Sequence, residues 1–195
     1  MRRLLGAAAH SAAIAAWSGP CLAAYEGSVD LFGGVKSLNA DWEPADTQNQ
    51  YGVELAFAPE RSRVWFALDV LASSGTADSV DPANGPTHVH GSTVEYTIGV
   101  RKVWTRHIVR PQFGAGGAVV TAHLEKTSNM VSLDRKNNGV GLWVEAGCTF
   151  RIVEHFHLGI DARYSKADVD LGQDFDTLHV NAGGTQLGIV IGYDW

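Results

Sequence analysis

From residue 25 onward, apolar side chains recur at every second position in eight separate segments: 28–36, 51–57, 64–70, 94–101, 109–119, 140–150, 156–164 and 186–195. In the sixth, Val140, Leu142, Val144, Ala146, Cys148 and Phe150 alternate with Gly141, Trp143, Glu145, Gly147 and Thr149. In the first, Val29, Leu31, Gly33 and Val35 alternate with Ser28, Asp30, Gly34 and Lys36, and Phe32 interrupts the series. A period of two sends one set of side chains to each face of a strand, and no 3.6-residue period competes with it. An all-β chain of eight strands is expected.

The connections alternate in length. Long links at 38–48, 74–91, 124–138 and 167–179 are separated by short ones at 59–62, 104–107 and 151–155. An even-stranded up-and-down meander has this rhythm when both ends of the chain lie on one side. Transmembrane barrels of the outer membrane show it as short periplasmic turns and longer extracellular loops.

Which face lies inside must be settled separately, because a soluble lipocalin-type barrel turns its apolar face inward around a ligand. Three features favour the inverted, lipid-facing arrangement. Aromatic residues of the apolar face (Tyr51, Phe57, Phe150, Phe156, Tyr164, Tyr193 and Trp195) fall near strand ends, as interfacial girdles do. The opposite face is crowded with glycine (Gly34, Gly52, Gly99, Gly114, Gly116, Gly141, Gly147, Gly159 and Gly188), which suits a narrow lumen. Finally, the alternation runs to a last aromatic residue, Trp195. The fold class expected is an eight-stranded antiparallel up-and-down transmembrane β-barrel.

Composition agrees. Glycine supplies 22 of 195 residues, above the usual ~7%. The net charge of −6 argues against nucleic acid as a partner. No apolar run reaches the roughly 18 residues of a transmembrane helix. Cys21 and Cys148 cannot build a disulfide framework.

Residues 1–24 read as a secretory signal peptide. Arg2 and Arg3 begin it, an Ala- and Leu-rich stretch follows, and Cys21-Leu22-Ala23-Ala24 forms a small-residue exit. Pro20 before Cys21 disfavours a lipoprotein signal. The barrel is assigned to residues 25–195.

The run from Val180 to Trp195, with Arg110-Pro111-Gln112-Phe113-Gly114-Ala115-Gly116-Gly117 and Leu158-Gly159-Ile160-Asp161-Ala162-Arg163-Tyr164-Ser165, resembles strands of small OmpA/OmpX-like outer-membrane barrels. The resemblance implies export, recognition of the last strand by the barrel-assembly machinery, and residence in a Gram-negative outer membrane. Trp195 stands where that group usually has Phe.

On this register the lumen receives Asp30, Glu54, Asp69, Glu95, Glu145, Asp161 and Asp194. It also receives Lys36, Arg101, Arg110, Arg151, Arg163 and His157. Eight strands enclose just enough room for side chains, and an unpaired buried charge is costly. A salt-bridge network that plugs the barrel is expected, with a gated pore whose pairs exchange as the alternative. Cys148, on the lipid face, reads as a small hydrophobe.

His90-Gly91-Ser92, with Glu95 on the same strand, resembles the His-x-Ser pair of outer-membrane lipid A deacylases. A base and a hydroxyl within hydrogen-bond reach suffice for acyl hydrolysis. Thr93 stands where that family has Asn, and His88 and His90 are better read as exposed loop residues. The long links are acidic, and Asp168, Asp170, Asp174 and Asp176 could offer oxygen ligands to calcium. Gly172 breaks the EF-hand spacing, which favours a solvated loop. No catalytic, cofactor-binding or metal residue is assigned.

The combined expectation is an integral outer-membrane barrel, a monomer without cofactor. It would contact outer-membrane lipid and lipopolysaccharide and serve envelope structure or surface interaction through four long extracellular loops. A narrow channel for small or apolar solutes and a lipid A-modifying acyl hydrolase are the alternatives.

Overall fold

The computed structural model describes residues 25–39, 42–81, 85–104, 108–128, 132–171 and 178–195. The segment assigned as a signal peptide lies outside them. The strands are β1 (Tyr25–Ser37), β2 (Thr47–Pro59), β3 (Val64–Asp81), β4 (Gly85–Val103), β5 (Val109–Ser128), β6 (Ser132–Arg151), β7 (Phe156–Leu171), β8 (Leu178–Asn181) and β9 (Gly184–Asp194). Each pairs antiparallel with its neighbour, β6 joins β7, and β9 joins β1 from Ser28↔Asp194 to Ser37↔Thr185. The ring therefore closes, which leaves the belt without an unpaired edge.

β8 and β9 are two parts of one strand, since both pair with β7. Ala182 and Gly183 interrupt it. The amide oxygen of Asn181 satisfies the break by accepting from the backbone N–H of Ala167 at 3.1 Å and of Gly183 at 2.9 Å. Counted this way, the barrel has the eight strands expected.

The faces also fall as the alternation predicts. Ile98 and Leu142 point outward at 65% and 71% exposure, whereas Arg101 and Glu145 on the same two strands are 1% and 4% exposed. Phe32 does not interrupt β1; it faces the lumen, as do Leu71 and Val190. Outward aromatics gather toward both rims of the belt. Tyr51, Tyr96 and Tyr164 stand toward the long-hairpin end. At the other end Phe57 meets Phe66 at 5.9 Å, and Phe156 meets Tyr193 edge-on at 5.2 Å.

Three of the four expected long loops are largely strand. β3 and β4 pair as far as Asp81↔Gly85, β5 and β6 as far as Thr127↔Ser132, and β7 meets β8 up to Leu171↔Leu178. The ladder continues because inward positions remain small or apolar (Val89, Val120, Ala122 and Val169 are buried), while the outward ones turn polar. Outward polarity ends the lipid-facing pattern, not the backbone pairing. Among the described residues of the long links, those of the β1–β2 link are mostly irregular. That link is organised around Trp42, whose N–H donates to Asn39 O and whose carbonyl accepts from Ala45 N.

Candidate functional site

The lumen is filled in three polar tiers. Nearest the short turns, His157 bridges Asp30 (Nε2 to Oδ1, 2.7 Å) and Asp194 (Nδ1 to Oδ1, 3.3 Å), and Arg110 also pairs with Asp194. β1, β5, β7 and β9 supply these groups, so the tier ties the seam to the opposite wall.

The middle tier holds two guanidinium groups among carboxylates. Arg101 donates through Nε and Nη2 to the two oxygens of Glu145. Arg163 Nη2 donates to Asp69 Oδ2 and Glu145 Oε2, both at 2.7 Å. Both arginines reach Glu54 at 3.3 Å. The Arg163 guanidinium lies 4.7 Å from the ring centre of Trp143, whose Nε1–H donates to Gly117 O. Room for that indole comes from glycine: a Cβ on Gly99 would meet Trp143 at 2.7 Å and the Ala115 carbonyl at 2.3 Å.

In the third tier Lys36 donates to Glu95, and to Thr93 Oγ1 and Ala182 O at 2.9 Å each. Ser165 and Gln186 donate to the same carboxylate. Above it Leu38, Trp42, Val120, Val169 and Val180 form one apolar cluster, with the buried Gln48 amide beside it accepting from Ser73 Oγ at 2.6 Å. Trp42, 1% exposed, sits inside the long-hairpin end and anchors its indole N–H on Asn181 O at 2.9 Å.

Twelve of the thirteen lumen charges named from the sequence lie inside, although Asp194 sits at the edge. Arg151 is the exception: it is exposed at the rim. Sequence reading missed the polar partners Gln50, Ser73, Thr93, Ser165 and Gln186, and the cap Trp42. The first five were legible in principle, because they extend the inward parity of their strands. Trp42 was not, since it lies in the irregular link.

The hydrolase motif is not assembled. His90 and Ser92 share the outward parity of β4, whereas Glu95 faces the lumen and is held by Lys36. On the outer face of the extensions, Asp78 bonds His88 at 2.6 Å and Asp134 bonds His123 at 2.7 Å. Asp168 and Asp170 stand exposed on β7, and Asp174 and Asp176 lie outside the described residues. Cys148 is a free cysteine on the outer face of β6.

A closed eight-stranded ring with an apolar outer belt and a charged interior defines a small transmembrane β-barrel of the outer membrane. Solved structures share this fold. OprG of Pseudomonas aeruginosa is 16% identical with a TM-score of 0.64, covering 88% of this chain and 96% of its own. A major outer-membrane protein of Thermus thermophilus is 11% identical with a TM-score of 0.56, covering 88% and 100%. Ail of Yersinia pestis, solved with the heparin analogue sucrose octasulfate, is 13% identical with a TM-score of 0.50, covering 88% and 99%. The fold is that of OmpA/OmpX-like barrels, and its belt places the protein in the outer membrane. No family model and no curated protein matches the chain.

Proposed function

We propose that this barrel is a closed platform that acts at the cell surface through its extracellular β-extensions. The observation that carries the reading is the filled lumen. In the middle tier, the side chains of Arg101, Arg163, Glu54 and Glu145 are each 1% exposed or less. They cross-link β2, β4, β6 and β7, an arrangement that supports a lumen closed to hydrated solutes. Beyond the belt, β3–β6 continue as a polar four-stranded wall, with Asp78, His88, His123 and Asp134 on its outer side. The protein works as a monomer among outer-membrane lipid and lipopolysaccharide, inserted by the barrel-assembly machinery.

A second reading, a narrow channel for small apolar solutes, draws support from the apolar lining beneath Trp42. One experiment separates the two. Purified barrel in planar bilayers, and in liposomes tested for uptake of a small apolar dye, is expected to give neither discrete conductance nor protein-dependent uptake. Uptake that rises in Trp42→Ala favours the apolar channel; steady conductance steps overturn the closed platform.

A further inference from the structure

We propose that the middle tier of the lumen binds one hard divalent cation of the calcium kind, held by Glu54, Glu145 and Asp161. These residues come from β2, β6 and β7, and one carboxylate oxygen of each lies within 4.8 Å of the others. Small side-chain adjustments would bring oxygens that close together to the ~2.3–2.6 Å of calcium coordination about one centre.

Charge count supplies the second argument. Among the described residues, Glu54, Asp69, Glu145 and Asp161 face only Arg101 and Arg163 in this tier, with Thr97 and Gln112 as neutral polar neighbours. With all four carboxylates ionised, two negative charges are left over, the number that one divalent cation neutralises. All four carboxylates are buried in a lumen where uncompensated charge is strongly disfavoured.

Asp161 supplies the third. It is 1% exposed, the Gln112 amide is the polar side chain beside it, and no well-aligned hydrogen bond among the described residues satisfies either of its oxygens. Asp69 Oδ1, in a residue 2% exposed, is likewise without one. A cation shared with Glu54 and Glu145 would satisfy these oxygens directly. The guanidinium nitrogens Arg101 Nη1 and Arg163 Nη1 also lack hydrogen-bond acceptors, but the excess of carboxylate argues against an anion between them. Hard oxygen donors select calcium or magnesium over softer metals. The irregular three-strand donor set suits calcium, which tolerates flexible geometry.

The test refolds the full chain in detergent with calcium, removes free ion, and measures bound calcium by equilibrium dialysis. Terbium luminescence, sensitised by Trp143 in the same tier, gives a second readout. Heat-modifiable gel migration confirms that each variant is folded. One ion per wild-type barrel is expected, with at least tenfold weaker binding in the near-isosteric Asp161→Asn and unchanged binding in the exposed control Asp168→Asn. Folded wild type that binds no calcium, or folded Asp161→Asn that binds it as wild type does, overturns the site.

Discussion

At the scale of the residue, neighbouring positions in one strand meet opposite environments. Val144 faces lipid at 53% exposure, and Glu145, one residue on, is 4% exposed within the arginine cluster. Arginine on the lipid face near the bilayer midplane costs about 2–4 kcal/mol, a large part of a typical ~5–15 kcal/mol stability. Val144→Arg is therefore expected to lower the denaturant midpoint of the refolded barrel sharply. Glu145→Gln, compared with wild type in chelator, is expected to cost less. Its amide oxygen still accepts from Arg101, and Glu54, Asp69 and Asp161 still balance both guanidinium groups. Denaturation in lipid bilayers reads both; a silent Val144→Arg beside a collapsed Glu145→Gln would reverse the faces. These assignments were readable from alternation alone; Phe32, read as an interruption, instead holds an inward position of β1.

Among the elements, β9 closes the ring against β1, and Trp195 finishes the seam. Its backbone exchanges hydrogen bonds with Gly27, N–H to O at 3.0 Å one way and 3.3 Å the other. Its indole lies over Gly27 so closely that a Cβ there would meet the ring at 2.2 Å. Trp195→Asp keeps the backbone groups but places a carboxylate at the membrane rim where the indole packed. Export is expected to be unaffected and outer-membrane insertion reduced, with protein accumulating in the periplasm; fractionation measures this, and normal insertion would remove the seam role. The seam was visible in the sequence as an alternation ending in an aromatic residue. The lengths of β3 to β6 were not, because their outer thirds carry polar residues on the outward face. Hydropathy reports which side of a strand meets lipid, while backbone pairing continues wherever neighbouring strands stay adjacent.

As a whole molecule, the protein is a closed ladder of hydrogen bonds cross-linked from within by three charged tiers. Such a ring has no edge from which detergent can peel a strand, so unheated protein is expected to migrate differently from boiled protein in gel electrophoresis. A single migration position for membrane-extracted protein, or recovery in the soluble fraction, would contradict the architecture. The sequence by itself determined the strand number, the inward and outward faces and, Arg151 apart, the cast of lumen charges, because a period of two is a local property of the backbone. Tertiary structure decided the rest. It chose which charges meet: Arg101 and Arg163 lie far apart in sequence from Glu54, and only closure of the ring brings them within 3.3 Å. It swung Trp42 from an irregular link into the mouth, a contact that no periodicity encodes. It also parted His90 and Ser92 from Glu95, since a strand turns odd and even positions to opposite sides of the wall. Strand faces follow from neighbours along the chain, whereas partners across a lumen follow from the shear and closure that set eight strands side by side.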